Sequence, residues 1–334
     1  MSVRKLWLIV PWAVFALLAV GWIIYWNVVA GTAEARVRAW VAEQTEQGGQ
    51  VSIARIVKRG FPVLMRLELH DVSYAPARGG WRAETERADL HVQILNTQHV
   101  IVEAEAPIAV SRSNGAVTNI SADALIASVR MRGNALAQAG VEADNLALDD
   151  PAQEGVLRAR KVVLNVRPDE RAEGDYQIAF DAQDVLLPRH VRSFEAFGLD
   201  VPMLRAALVM TDGAALMDAS QQDPLGPWRE AGGRLRIEGL ELRWGPLTTL
   251  GRGEGGLDEQ RRLRGELTLP IEEPAPVFTA IANGPNVNED ARRALGLLAA
   301  TYMISGDDIT LDVEARDGVM RLEGLPVRPL PPVY

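Results

Sequence analysis

The sequence predicts an α+β fold dominated by β strands, with curved, bulged antiparallel sheets, flanking helices and one preceding N-terminal transmembrane helix. Three observations lead to this prediction. An uncharged segment runs from Leu6 to Ala30 near the N-terminus. Alternation of apolar and polar residues then dominates from Val51 to Phe180, as expected for half-buried strands. Several of these alternations change parity at one point, which is typical of strands that bend at a β-bulge.

The uncharged segment is predicted to be a membrane anchor. At about 1.5 Å per residue, it is long enough to cross a hydrocarbon core of about 30 Å. Arg4 and Lys5 precede it, so the positive-inside rule places the N-terminus in the cytoplasm. Aromatic residues cluster towards its two ends, as at membrane interfaces: Trp7 and Trp12, then Trp22, Tyr25 and Trp26. The alternative is a signal peptide cleaved after Ala30, but a signal apolar region usually has only about 7–15 residues.

We therefore expect a single-pass inner-membrane protein whose C-terminal body lies in the periplasm. Residues 1–30 would form the cytoplasmic tip and anchor, residues 31–49 a stalk helix, and residues 50–334 a β-rich body. The body could divide into two sub-lobes, 50–185 and 186–334. The stalk helix, Thr32 to Gln47, either has Thr32 as its N-cap or simply continues the membrane helix.

Further elements follow along the body. Apolar periodicity and terminal glycines or prolines predict four short helices: Arg189–Phe197, Pro224–Ala231, Pro274–Gly284 and Asn288–Tyr302. Alternation predicts strands between and after them: Arg234–Leu269, Ile309–Ala315 and Val319–Leu325. The last two of these strands are predicted to close the fold, and a Pro-rich tail follows them.

The change of parity recurs along the chain. In "RGFPVLMRLELHDVSY", for example, Leu67 and Leu69 alternate with polar neighbours, and the apolar positions then resume at Val72 and Tyr74. Either a two-residue hairpin or a β-bulge produces this pattern. The Asn-Gly and Asp-Gly pairs that favour such hairpins do not occur at the breaks, so bulges are the preferred interpretation. They are predicted near four residues: Asp71, Asn145, Lys161 and Gly239.

The composition limits the chemistry. A net charge of −9 argues against a nucleic-acid-binding protein, and the absence of cysteine removes disulfides, thiolate metal sites and cysteine nucleophiles. The four histidines lack metal-site spacing and are expected on exposed strands: His70, His91, His99 and His190. The glycine-rich run Gly251–Gly256 lacks the Lys-Ser/Thr of a phosphate loop and is interpreted as a strand connection. We therefore expect a non-enzymatic protein without catalytic, cofactor-binding or metal-binding residues.

Three stretches together resemble a bacterial envelope family catalogued as domain of unknown function 2125. They are the N-terminus with Trp40 and "VSIARIVKRGFPVLMRLELHDV", residues 232–269, and the C-terminal "DGVMRLEGLPVRPLPPVY". The family is similar in architecture to AsmA-like membrane-tethered periplasmic proteins. This resemblance implies curved β sheets that shield lipid, and it implies no catalytic residues.

The predicted helices are few and short for so many strands, so some apolar strand surface could lack a protein partner. The first functional hypothesis is therefore envelope or lipid homeostasis, with a phospholipid or lipid-like ligand on an apolar β surface. Its predicted lipid contacts are Met65, Leu67, Leu69, Leu164, Val166, Leu240 and Leu242. The alternative is a structural or protein-interaction module of the cell envelope, with a filled core, no ligand and other envelope proteins as partners.

Overall fold

The computed structural model describes residues 3–77, 80–93, 96–133, 135–151, 155–188, 196–217, 225–284 and 287–333. Antiparallel strands dominate the fold, helices are few, and one apolar helix lies at the N-terminus. This architecture confirms the predicted fold class. The chain separates into two compact units. The first comprises Met1–Val117 and Ile126–Ala135, and the second comprises Thr118–Leu125 and Leu136–Tyr334.

The first unit contains the long helix and a small sheet. Helix α1 spans Val3–Glu46 without interruption, so the predicted stalk is a continuation of the apolar helix. Thr32 is not an N-cap, because its hydroxyl donates to the Val28 carbonyl one turn earlier. The strands are β1 (Gln50–Arg59), β2 (Met65–Ala75), β3 (Trp81–Gln93), β4 (Asn96–Ala104), β5 (Ile108–Arg112) and β7 (Ala124–Arg132). They pair in the order β1–β2–β3–β4–β7, and β5 pairs with the first half of β3.

The second unit is an antiparallel meander in which each strand pairs with the next. Its strands are β6 (Val117–Ser121), β8 (Ala135–Asp149), β9 (Val156–Pro168), β10 (Tyr176–Leu186), β11 (Asp200–Met210), β12 (Leu235–Trp244), β13 (Leu247–Leu257), β14 (Leu263–Ile271), β15 (Ile309–Arg316), β16 (Val319–Leu322) and β17 (Leu325–Pro329). Strand β6 adds to β8 at the start of the series. The single closing strand predicted at Val319–Leu325 is wrong, because the chain turns after Leu322 and β17 continues into the Pro-rich tail as a separate strand paired with β16.

Within the described residues, three helices interrupt the meander: α2 (Gly226–Glu230), α3 (Pro274–Ala282) and α4 (Glu289–Ser305). A 3-10 turn spans Gly213–Met217. All three helices confirm predicted helices. Asn288 caps α4 by accepting from the Ala291 amide, and Gly306 ends it in a left-handed conformation. The main core packs α3 and α4 against the later strands, with Phe278, Leu295 and Leu311 almost fully buried. The predicted helix Arg189–Phe197 lies largely outside the described residues.

The parity changes have a different cause from the predicted bulges at most positions. Strands β2, β8, β9 and β12 run through the breaks, which excludes hairpins there. Among the four predicted positions, the register shifts only at Gly239, between Ile237 and Leu240, as a bulge requires. The bulges predicted at Asp71, Asn145 and Lys161 are wrong, because the pairing on both sides keeps one register.

At Asp71 and Asn145 the residue itself adopts a left-handed conformation, with φ of 51° at both. Asp184, on the strand after next from Asn145, does the same with φ of 50°. One such residue rotates the chain, so alternation restarts on the opposite parity without an inserted residue. Aspartate and asparagine tolerate this conformation better than other non-glycine residues. Asp71 faces Glu86 in the register of β2 and β3, and the apolar positions of β3 change parity there too.

Candidate functional site

The second half of α1 lies along strand β2. Near the start of β2, the Trp26 indole Nε1 donates to the Leu64 carbonyl at 3.0 Å, and near its end Trp40 packs on Tyr74 with ring centroids 5.8 Å apart. Between these contacts, Glu34 accepts an ion pair from Lys58 of β1 at 2.8 Å. Hydrogen bonds from Lys58 and Arg38 hold the pKa of Glu34 below its ordinary value.

An apolar groove lies between α1 and the sheet of the first unit. Ala30 is fully buried there, and the Met65 side chain is 1% exposed. Together with Trp26 and Val92 they form a small core. The small side chain at Ala30 lets the helix approach the sheet closely. A cavity of about 200 Å³ remains beside this core, lined by Val28, Val29, Thr32, Ala33, Arg36, Val37, Met65, Leu90, Val92 and Val100.

The lining of the groove is apolar except at one end. The Thr32 hydroxyl is already used inside the helix. Arg36 is exposed and makes no hydrogen bond or ion pair with any residue that the structure describes. The groove therefore offers an apolar slot with an available guanidinium at the end farther from the N-terminus of α1. An acyl chain with an anionic headgroup has matching chemistry.

The seven predicted lipid contacts are divided between the two units. Met65 lines the groove, whereas Leu67 and Leu69 are buried elsewhere in β2. The other four belong to the second unit and are half-buried on β9 and β12: Leu164, Val166, Leu240 and Leu242. Leu240 and Leu242 pack against the core of α3 and α4.

The sequence reasoning missed most of the groove. Its wall on the helix, Val29 and Ala33, belongs to the segment interpreted only as an anchor and stalk. Its wall on the sheet, Leu90 and Val92, lies after the parity change of β3. The small residues Ala30 and Ala33, spaced three apart on an apolar helix, were the available signal for a closely packed helix face.

The second unit holds another apolar cavity, of about 290 Å³, between α3 and the strands from β13 onward. Its walls include Val277, Leu269 and Leu311, which belong to the closed core. Phe197 and Trp244, with ring centroids 5.1 Å apart, lie at its margin.

Charged clusters in the described residues are balanced by ion pairs. Asp89 of β3 is fully buried, accepts hydrogen bonds from Arg87 at 2.9 and 3.1 Å, and lies 3.3 Å from Arg66. Two guanidinium groups thus neutralise this carboxylate. We therefore interpret Asp89 as part of a structural ion-pair network and not as a catalytic group. No group of three or more histidine, aspartate or glutamate side chains in the described ranges could hold a metal ion.

The histidine prediction was only partly right. His70, His91 and His99 do lie on strands, but they are half-buried instead of exposed. His91 is 3.4 Å from Glu103 on the neighbouring strand. His190 lies outside the described residues.

The glycine-rich run is part of strand β13 and pairs with β12 and β14, so its interpretation as a connection was wrong. A Cβ at Gly253 of β13 would lie 2.2 Å from the Glu266 carbonyl oxygen of β14. Position 253 therefore requires glycine, because the backbone of β14 leaves no room for a side chain. A polar cavity of about 480 Å³ lies nearby, lined by four arginines and three glutamates, among other residues: Arg229, Arg234, Arg264, Arg316, Glu254, Glu266 and Glu314. The near balance of charge, with Arg234 paired to Glu254 at 2.5 Å, argues against an anion site.

Neither the curated proteins nor the solved structures include a match to this chain. One family does match, over residues 26–331, and this range includes Trp26, both walls of the groove and the whole meander. The chain therefore belongs to the bacterial family described as "Uncharacterized protein conserved in bacteria (DUF2125)".

Proposed function

We propose that this protein is a membrane-anchored, non-enzymatic envelope protein that acts in lipid homeostasis by holding an acyl chain in the groove between α1 and its sheet. The observation that carries the proposal is that one continuous helix supplies both the apolar segment and a wall of the groove. A lipid could then move between bilayer and groove along a single apolar surface. On this proposal the body lies in the periplasm, and the protein has the architecture of AsmA-like membrane-tethered proteins.

The anchor is supported by three features of α1. Among the described residues, it is the helix long and apolar enough to cross a membrane or to serve as a signal sequence. Most described side chains from 12 to 24 are exposed, and they are largely apolar. Cleavage after Ala30, as a signal peptide would require, would cut a continuous helix at a fully buried residue. We expect the full-length chain to stay in the inner membrane after a high-salt wash, and a soluble form that begins at Gly31 would refute the anchor.

The volume of the groove sets the scale of lipid binding. At about 30 Å³ for each group the size of a water molecule, a cavity of 200 Å³ accepts about six methylenes. At about 0.8 kcal/mol per methylene, their transfer from water is worth about 5 kcal/mol. A bilayer offers the same gain, so the groove would exchange lipid with the membrane instead of trapping it.

Photo-crosslinking tests this proposal. The full-length chain is reconstituted in vesicles with a phospholipid that bears a diazirine in its acyl chain. The readout is labelling of the peptide that covers residues 88–104 on β3 and β4, because this peptide lies outside the apolar helix. We expect labelling in the wild type and its loss in Ala33→Phe, whose ring would fill the cavity. Ala35→Phe, on an exposed position of the same helix, is the matched control and should label like the wild type. No labelling of this peptide, or equal labelling in Ala33→Phe, would overturn the proposal.

One observation favours the alternative, a structural or protein-interaction module. Helix α4 exposes apolar side chains on its outer side, with Leu297, Met303 and Ile304 between 71% and 88% exposed. Exposed apolar patches often mark protein contacts. An unlabelled groove, together with self-association that Ile304→Asp abolishes, would favour this function over lipid binding.

A further inference from the structure

The turn between β1 and β2 is fastened to the apolar part of α1. The Trp22 indole Nε1 donates to the Pro62 carbonyl at 2.8 Å, and Trp26 donates to the Leu64 carbonyl at 3.0 Å. Phe61 packs edge-on against Trp26, with ring centroids 5.5 Å apart. Two indole hydrogen bonds and one aromatic contact therefore fix the position of this turn along the helix.

The turn exposes large apolar side chains. Phe61 is 50% exposed, Leu64 65% and Val63 74%, although turns in water are usually made of glycine, proline and small polar residues. The Leu64 amide donates to the Gly60 carbonyl at 2.9 Å. Gly60 has a φ of 92°, and a Cβ there would lie 2.8 Å from the Leu64 carbonyl oxygen. The turn is thus a tight loop that holds its three apolar side chains in place.

The helix also gives the depth of the turn. A span that begins at Leu6, directly after Lys5, needs about 20 residues to cross a core of about 30 Å. It would end near Tyr25, between the two tryptophans that hold the turn. Indole rings favour the boundary between headgroups and acyl chains. The turn therefore lies at the level where the helix leaves the hydrocarbon.

We propose that Phe61, Val63 and Leu64 form a second membrane contact, a wedge that enters the leaflet on the same side as the body. Its partner is the lipid of the membrane that α1 spans, and the proposal rests on the proposed anchor. Lipid would cover the three side chains that the protein leaves exposed. The wedge and α1 together would fix the orientation of the first unit, with Arg36 about 15 Å above Trp26 at 1.5 Å per residue.

Site-specific fluorescence tests the wedge in the full-length chain. The protein has no cysteine, so Val63→Cys gives a single site for an environment-sensitive dye. The labelled protein is reconstituted in vesicles of phosphatidylethanolamine and phosphatidylglycerol, with nitroxide groups placed either near the headgroup or deep in the acyl chains. Two matched sites on α1 serve as controls: Leu17→Cys in the proposed span and Ala42→Cys, exposed and about 30 Å along the helix from Trp22.

We expect deep nitroxides to quench the Leu17→Cys dye, shallow nitroxides to quench the Val63→Cys dye, and neither to quench the Ala42→Cys dye. Leu64→Cys is a second reporter and should behave like Val63→Cys. If Leu17→Cys is quenched but Val63→Cys and Leu64→Cys resemble Ala42→Cys, the anchor stands and the wedge is wrong. If Leu17→Cys is not quenched, the anchor itself is wrong, and the wedge falls with it.

Discussion

The left-handed residue at Asp71 makes a quantitative prediction, because it alone changes the parity of strand β2. Its side chain is exposed and makes no hydrogen bond or ion pair with the described residues, so a substitution there changes backbone preference and little packing. A left-handed conformation costs an L-residue about 1–2 kcal/mol, and aspartate and asparagine are among the residues that adopt it most readily. A β-branched side chain is the least compatible with a positive φ.

We therefore expect Asp71→Val to lower the stability of strands β1 to β3 by about 1–2 kcal/mol. Asp71→Asn should leave their stability unchanged. Asp71→Gly should stay within about 1 kcal/mol of the wild type, because glycine fits the left-handed conformation but loses more entropy on folding. Ser52→Val is the matched control: Ser52 is exposed on β1, its φ is not positive, and valine favours strands.

Hydrogen–deuterium exchange followed by mass spectrometry measures the local stability of strands β1 to β3 in the full-length protein in detergent. A loss of about 1.4 kcal/mol corresponds to about tenfold faster exchange of the backbone amides of β1–β3 in Asp71→Val. The same amides should exchange at the wild-type rate in Ser52→Val. Equal exchange in Asp71→Val and the wild type would show that the left-handed residue does not maintain the change of parity.

Three further predictions concern other contacts. Trp26→Phe removes the indole hydrogen bond to the Leu64 carbonyl, worth about 1 kcal/mol, so hydrogen exchange of the β1–β2 turn should quicken while the rest of the sheet keeps its rate. Gly253→Ala should lower the melting temperature, because its Cβ would clash with the backbone of the facing strand, whereas Gly296→Ala, with open space inside α4, should leave the melting temperature unchanged or raise it. Asp169 accepts hydrogen bonds from the side chain and the backbone amide of Arg171, and these lower the pKa of Asp169 to about 2. Its ionised form thus stabilises the fold above about pH 4, and this contribution is lost as the pH falls towards 2, so the difference in melting temperature between the wild type and Asp169→Asn should shrink from pH 7 to pH 3.

Periodicity predicted those parts of the fold that local chemistry determines. Helix α4 has both its cap Asn288 and its terminal Gly306 in the sequence, so its bounds could be predicted within a few residues. Alternation also predicted the strands between Val51 and Phe180 and between Arg234 and Leu269, but it missed β11 and β17. The cause of each parity change could not be predicted, because an extra residue and a left-handed residue leave the same apolar pattern. Only the pairing of β2 with both neighbours separates the two causes at Asp71.

The candidate site was less accessible from sequence, because it combines segments that are distant along the chain. Met65 was the one predicted contact that lines the groove, and its partners Val29 and Val100 come from α1 and β4. Packing of the helix against the sheet brings them together, and alternation carries no information about which strand a helix covers. Buried Leu67 shows the converse problem, since the same alternation marks core and ligand contacts alike.

The junction between helix and body has a mechanical consequence. Helix α1 ends at Glu46 and β1 begins at Gln50, and the short link between them is held by hydrogen bonds from the Gly48 and Gly49 amides to the last turn of the helix. A chain anchored as proposed would therefore have a rigid mount in place of a flexible tether. Its first unit could diffuse in the plane of the membrane and rotate about the membrane normal, but it would have no reach towards distant targets. Any molecule that it serves must come to the membrane surface.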